Sequence, residues 1–258
     1  DDATRLAAAA ARAGRVLHIV HNWLHAPICR KISALIDDGA IGAVRSARWR
    51  TLRTEPATAV SAPGVANWRV DPKLAGGGIL IDHGWHALYC VARWAGVPGR
   101  VSARLETRRF HDQPLEDTAT LDLETASGVS QIFLTWAADT RSNAIEVVGE
   151  QGEIQVVGDT VRVRSNSQER RWSCPPSLSE GSHHPDWFGG VVADFLAAAT
   201  GAGESNLDEV LLCARLIDAA QRSSAAGGAW LALPGQTPDE PGLSTDPWPA
   251  ARKMTRQK

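Results

Sequence analysis

The chain has 258 residues, 27 Lys and Arg against 29 Asp and Glu, a formal charge of −2 and 43% apolar residues. A chain this long can bury a core of its own, and the balanced charge removes any electrostatic case for a nucleic-acid partner. No apolar run approaches a membrane span, the N-terminus lacks the order of a signal peptide, and four scattered cysteines (Cys29, Cys90, Cys174, Cys213) read as reduced thiols in a cytoplasmic protein.

Residues 4–12 carry Leu6 and a run of alanines ahead of Gly14, which predicts a helix with a glycine stop. Residues 15–20 (RVLHIV) read as a short buried strand. Helix then strand is half of an α/β unit. With no strand ahead of it and no initiator Met, residues 1–22 are expected to be the remnant of a larger domain. Pro27 suits a first helical turn, and Ile28, Ile32, Leu35 and Ile36 then recur at helical spacing as far as Asp37-Asp38-Gly39. A strand over 44–52 follows, then a loop over 55–67 long enough to be functional. Residues 79–94 suit a helix, entered through Gly76-Gly77-Gly78.

Beyond that helix the period drops from 3.6 to 2. Strands are expected over 101–109, 118–125, 129–136, 143–148, 153–157 and 161–164, with tight turns at Ser127-Gly128 and Gly158-Asp159. Helices over 187–200 and 207–224 and a short strand over 229–233 complete the ordered part. The proline-rich stretch 234–258 reads as a polar, loosely packed tail. The expected fold class is α+β: an open, mainly antiparallel sheet flanked by helices over 23–233, preceded by the helix-plus-strand remnant of a Rossmann-like domain.

The segment most suggestive of chemistry runs from Gly76 to His86. Three glycines before a helix leave free N–H groups for a polar or anionic ligand. Asp82 and His86, four apart, share a helical face, and a carboxylate on an imidazole suits general acid/base work near pH 7. A core histidine satisfied by its neighbour fits the spacing equally well. Gly84 inside the helix implies close approach by another group. His83 completes a D-H-x-x-H string, but the upstream H-x-H that metallohydrolases pair with it is missing, so no metal is expected. His21-Asn22 sits where a parallel strand delivers residues to a cleft, and a role in satisfying the loop fits equally well. Gly201-Ala202-Gly203 lacks the third glycine of a dinucleotide fingerprint and follows a helix, which disqualifies it. Phe133 and Trp136 fit either the core, where sheet aromatics more often lie, or an outward-facing position that would make the open face a surface for a second copy of the chain.

Taken in order, these pieces resemble the Gfo/Idh/MocA oxidoreductases. The matching residues are Val20-His21-Asn22, Pro27 with the helix ending Asp37-Asp38-Gly39-Ala40-Ile41-Gly42, and Trp68-Arg69-Val70-Asp71. The three glycines, Asp82-x-Gly84-x-His86, the Ser127-Gly128 hairpin and Val148-Gly149-x-x-Gly152 follow in the same order. The resemblance implies a two-domain enzyme. A Rossmann domain holds NAD or NADP, and the sheet domain supplies the pocket for a small-molecule substrate, a sugar, polyol or relative, and an oligomer interface. It also implies roles: His86 as acid/base, Asp82 as its orienting partner, Asn22 near the nicotinamide, and Trp68, Arg69 and His83 at the substrate. The family's glycine fingerprint and its E-K-P lysine are not found in this sequence. The resemblance therefore implies the C-terminal part of such an enzyme, inactive alone. A non-catalytic dimerisation or sugar-binding module is the alternative, and a nicotinamide-assisted elimination on a glycoside a third.

Overall fold

The computed structural model describes residues 2–57, 67–181 and 184–233; the expected tail, His183 and most of the loop over 55–67 lie outside the described residues. Nine strands build one sheet: β1 (Val44–Leu52), β2 (Arg100–Glu106), β3 (Thr118–Thr125), β4 (Gly128–Thr135), β5 (Ser142–Gly149), β6 (Gly152–Val157), β7 (Thr160–Ser165), β8 (Gln168–Ser173) and β9 (Leu231–Ala232). Their spatial order is β8-β7-β6-β5-β1-β4-β3-β2-β9. Only β1 and β4 are parallel; every other adjacent pair is antiparallel. The fold is α+β with an open, mainly antiparallel sheet, as the periodicity predicts.

Six helices accompany it: α1 (Asp2–Arg12), α2 (Pro27–Asp37), α3 (Pro72–Ala75), α4 (Trp85–Ala95), α5 (Phe188–Ala199) and α6 (Leu207–Ala225). Strand parity decides which sheet face they cover. In β1 the residues Ala47, Trp49 and Thr51 are buried while Arg48 and Arg50 are exposed. Trp49 stacks on Trp94 of α4 with centroids 6.0 Å apart, which ties the helix to the middle of the sheet. Helix α4 is buried on nearly every side, from Ala87 to Trp94 apart from Arg93. An apolar circumference of that kind marks a central helix rather than a surface one. Phe133 does face the open side, where the Arg50 guanidinium lies 5.9 Å from its ring. Trp136 does not: it follows the end of β4, turns inward and is 1% exposed.

Two sequence expectations need correcting. Residues 15–20 form no strand, because no neighbouring strand offers a ladder among the described residues. Instead the Asn206 side chain takes a strand's place: its Oδ1 accepts from Ile19 N (2.9 Å) and its Nδ2 donates to Ile19 O (2.7 Å). Asn206→Ala should cost about 1–2 kcal/mol and speed amide exchange at Ile19 while leaving β1 to β8 protected. Unchanged exchange at Ile19 would refute that role.

The second correction is β8, which sequence reading missed because Gln168-Glu169-Arg170-Arg171 carries no apolar alternation. It is an edge strand, and charge on an edge deters pairing with other chains. A tight turn at Asn166-Ser167, both at positive φ, sets its register against β7. The opposite end of the sheet is closed differently. Ser223 and Ser224 of α6 accept from Ala103 N and Leu105 N of β2, both at 2.9 Å, beyond the reach of two-residue β9.

Candidate functional site

The glycine entry is shaped by one carboxylate of the chain itself. Glu116 Oε1 accepts from Gly78 N (2.8 Å) and Leu80 N (3.2 Å), and Glu116 O accepts from Ile79 N (3.2 Å). The N–H groups expected to await an anionic ligand are therefore already occupied by an anion 38 residues away. A carboxylate at a helix start is the arrangement those orphan donors favour.

The helix entered here is not a plain α-helix. Leu80–Gly84 is π-helical and passes into α4 at Trp85. Its i→i+5 bonding changes which side chains line up, and the expected Asp82–His86 hydrogen bond is not formed. Gly84 fulfils the expectation of close approach: a Cβ there would sit 2.8 Å from Leu80 Cδ1 and 3.2 Å from Leu134 Cδ1.

His86 takes other partners. Its Nδ1 lies 2.9 Å from the Tyr89 hydroxyl, one turn on, and its ring stacks on Trp23 at 4.8 Å and 7°. The tautomer follows from the network. Trp23 N–H donates to the Tyr89 oxygen at 3.1 Å, and the Tyr89 O–H has no other acceptor among the described residues, so it donates to His86 Nδ1. The remaining proton then sits on Nε2, which has no partner among the described residues. Burial, and secondarily the charge of His21, push the His86 imidazole down to about 3. Burial likewise raises the Tyr89 phenol well above its ordinary value. At neutral pH this is an uncharged imidazole presenting an N–H, not the carboxylate-assisted base the spacing suggested.

Asp82 pairs elsewhere. Arg69 Nε stands 3.4 Å from its Oδ1, and His83 Nε2 stands 3.5 Å from its Oδ2. Burial raises the Asp82 carboxyl, opposed mainly by Arg69 and then by Arg53. Burial also holds His83 well below the usual imidazole range, with Arg53 adding to the effect. Arg69 is presented by a 3-10 turn, Trp68–Val70, that Asn67 caps by accepting from Arg69 N at 3.2 Å. Its guanidinium lies 4.5 Å from the Trp68 ring, and Trp68 is 45% exposed at the mouth.

The structure therefore gathers Trp68, Arg69, Asp82, His83 and His86 at one site. Asn22 opens the 3-10 turn Asn22–His25, whose next residue, Trp23, touches the His83 and His86 rings. Beneath it, His21 stacks on Tyr89 at 4.1 Å and places Nδ1 3.3 Å from Glu209 Oε2. No cluster of three or more metal-ligating side chains exists among the described residues.

Sequence reasoning missed Tyr89, Trp23, Arg53 and Glu116. Tyr89 had a signal, being the only tyrosine of the chain and three residues beyond His86. Arg53 had one too: it shares the inward parity of Ala47, Trp49 and Thr51. Glu116 had none, since nothing local links it to the glycines.

Residues 29–155 match the family model described as the GFO/IDH/MocA C-terminal domain, and the chain carries that family's C-terminal domain. An oxidoreductase from Agrobacterium radiobacter in complex with NAD+, L-tartaric acid and magnesium is 21% identical with a TM-score of 0.73, over 90% of this chain and 69% of that one. An aldose-aldose oxidoreductase from Caulobacter crescentus, complexed with glycerol, is 22% identical with a TM-score of 0.71, over 90% and 68%. A levoglucosan dehydrogenase bound to NADH and levoglucosan is 22% identical with a TM-score of 0.69, over 85% and 67%. No curated protein matches the chain. At these identities the likeness establishes the fold.

Proposed function

We propose that this chain is the substrate half of an NAD(P)-dependent oxidoreductase acting on a hydroxyl or carbonyl of a sugar, polyol or related small molecule. The observation that carries the reading is His86, an imidazole fixed by Tyr89 and Trp23 with Nε2 left for a ligand. The solved neighbours named above include proteins complexed with NAD+ or NADH and with a sugar or a hydroxy acid, which supports the cofactor and substrate classes. No described segment joins a strand to a glycine-rich turn and a helix, so the residues present do not fit a dinucleotide platform. The cofactor belongs to a domain outside this chain.

His86 Nε2–H donates to a substrate carbonyl oxygen in the neutral tautomer described above. To take a hydroxyl proton, Nε2 needs its lone pair, and the proton then rests on Nδ1. The Tyr89 oxygen serves that tautomer as well, because it has a second lone pair beside the one Trp23 N–H occupies. Burial opposes a lasting imidazolium, so a captured proton is passed on rather than stored. Asp82 orients Arg69 rather than His86, and Trp68 flanks the entrance.

A second reading rests on the open sheet face. It carries a shallow hollow of about 420 Å³, lined by Arg48, Arg50, Phe133 and Val157 among others. That mixture of apolar surface and arginine suits a homo-oligomer interface, and it is compatible with the catalytic reading. The test is the protein purified from its own source and assayed for nicotinamide reduction against polyols, aldoses and hydroxy acids. Turnover of any of them supports the oxidoreductase. A stable oligomer that binds sugar and never reduces the nicotinamide favours the binding module.

A further inference from the structure

Glu209 is buried although its place on the helix does not require it. It stands in the first turn of α6, where acidic side chains suit the helix dipole. Its neighbour Asp208 does that from solvent, while Glu209 turns inward and is 7% exposed. Taking a carboxylate out of water is costly unless the site gives it partners. Its Oε2 lies 3.3 Å from His21 Nδ1, and its Oε1 lies 3.9 Å from an Arg93 guanidinium nitrogen, too far for a hydrogen bond. What the carboxylate grips is therefore His21.

His21 stands where two supports of His86 meet. Its ring covers the Tyr89 ring at 4.1 Å and 20°, and Tyr89 sends its hydroxyl to His86 Nδ1. Its carbonyl accepts from Leu24 N at 3.2 Å and starts the 3-10 turn Asn22–His25. That turn carries Trp23, whose ring stacks on His86 and whose N–H donates to the Tyr89 oxygen. His21 is 3% exposed, and its Nε2 is buried with no partner among the described residues. The contact with Glu209 is thus the one side-chain hydrogen bond, among those residues, that fixes the rotation of the ring.

We propose that Glu209 is a positioning residue for the proton-transfer imidazole: it locks the His21 ring, and His21 holds the Tyr89 ring and the Trp23 turn against His86. This rests on the reading of His86 given above and extends it to a residue 188 positions along the chain from His21. The hold matters because the Tyr89 hydroxyl decides which His86 nitrogen carries the proton. A hydroxyl that drifts from Nδ1 no longer does so, and Nε2 then presents its N–H only part of the time.

The test reads the tautomer first, because that needs neither cofactor nor substrate. Nitrogen NMR of the 258-residue chain should find the His86 proton on Nε2 and Nδ1 bare. In Glu209→Gln, which keeps an acceptor oxygen without the charge, the two nitrogen signals should move toward each other. In Glu209→Ala they should move further. In the complete enzyme, Glu209→Gln should lower kcat about tenfold and Glu209→Ala about 10²-fold with KM little changed, the scale of a misplaced reacting group. In a His86→Gln background neither should cost anything. A carboxylate that merely supports the fold would lower the melting temperature and leave the tautomer alone. Unchanged His86 signals in both variants, or a kcat loss that persists in full without the imidazole, overturns the assignment. Full turnover by His86→Gln overturns the catalytic reading and this proposal with it. A deficient His86→Gln beside fully active Glu209 variants overturns the proposal alone.

Discussion

His86→Gln in the complete enzyme should lower kcat by about 10²–10⁴, the range for loss of a positioned proton-transfer group. Glutamine keeps a donor near the position of Nε2, so KM should move little. Tyr89→Phe should also lower kcat, because it keeps the stack on His21 but leaves His86 Nδ1 and the Trp23 N–H without their shared partner. The two losses should not add. In a His86→Gln background, Tyr89→Phe should cost almost nothing, since its effect runs through the imidazole. Steady-state kinetics of the wild type and the three variants decides this. Tyr89→Phe costing as much in the variant as in the wild type would show that Tyr89 supports the fold and not the imidazole.

The pH profile checks the same residue independently. An imidazole held at about 3 stays neutral through the whole range in which an ordinary histidine gains its proton. The free enzyme's folded-state value lies below the unfolded one, so activity that needs neutral His86 should persist as pH falls through 6.5 and fail only in stronger acid. An acid limb in kcat/KM near 6.5, absent from His86→Gln, would mean that the imidazole is solvated and not stacked under Trp23.

The sheet was legible because its signal is local. Ala47, Trp49 and Thr51 alternate with Arg48 and Arg50, and a half-covered sheet demands that alternation wherever it is found. Strand β8 escaped for the complementary reason: an edge strand half in water has no apolar face to repeat. Residues 15–20 erred in the other direction. Their apolar run looks like a strand, but a strand exists only where a neighbour supplies the ladder, and here the Ser205 and Asn206 side chains stand in for one.

The site was half legible. The D-x-G-x-H spacing pointed to this segment, and Asp82, His83, His86, Trp68 and Arg69 lie near one another there. The pairing within it went wrong because a single π-helical turn altered the facing of residues four apart, and no residue pattern announces such a turn. The glycines were read correctly as permitting close approach. What approaches them is Glu116, from the far side of a connection that helical or strand periodicity does not register. Local spacing finds the residues that chemistry needs. The partners that set their protonation come from elsewhere in the chain.

That last contact sets the largest stability effect. A Cβ on Gly78 would stand 1.9 Å from Glu116 O, a backbone atom that also receives the Ile79 N–H. Backbone cannot swing aside as a side chain does, so Gly78→Ala must break the Glu116 cap or displace the π-helical turn. About 3–5 kcal/mol is the expected loss, in the range reserved for steric conflict and broken buried networks. Two neighbouring glycines supply the comparison. A Cβ at Gly84 meets only the Leu80 and Leu134 side chains, which can shift, so Gly84→Ala should cost about 1–3 kcal/mol of overpacking, less the helix propensity it gains. Gly76 has open space around it and φ of 75°, so Gly76→Ala should cost about 1–2 kcal/mol for the left-handed backbone alone. Denaturant unfolding of the three variants should rank Gly78→Ala clearly worst. If Gly78→Ala instead unfolds like Gly76→Ala, Glu116 does not hold the turn, and the positions of Asp82, His83 and His86 must be set by Tyr89 and Trp23 alone.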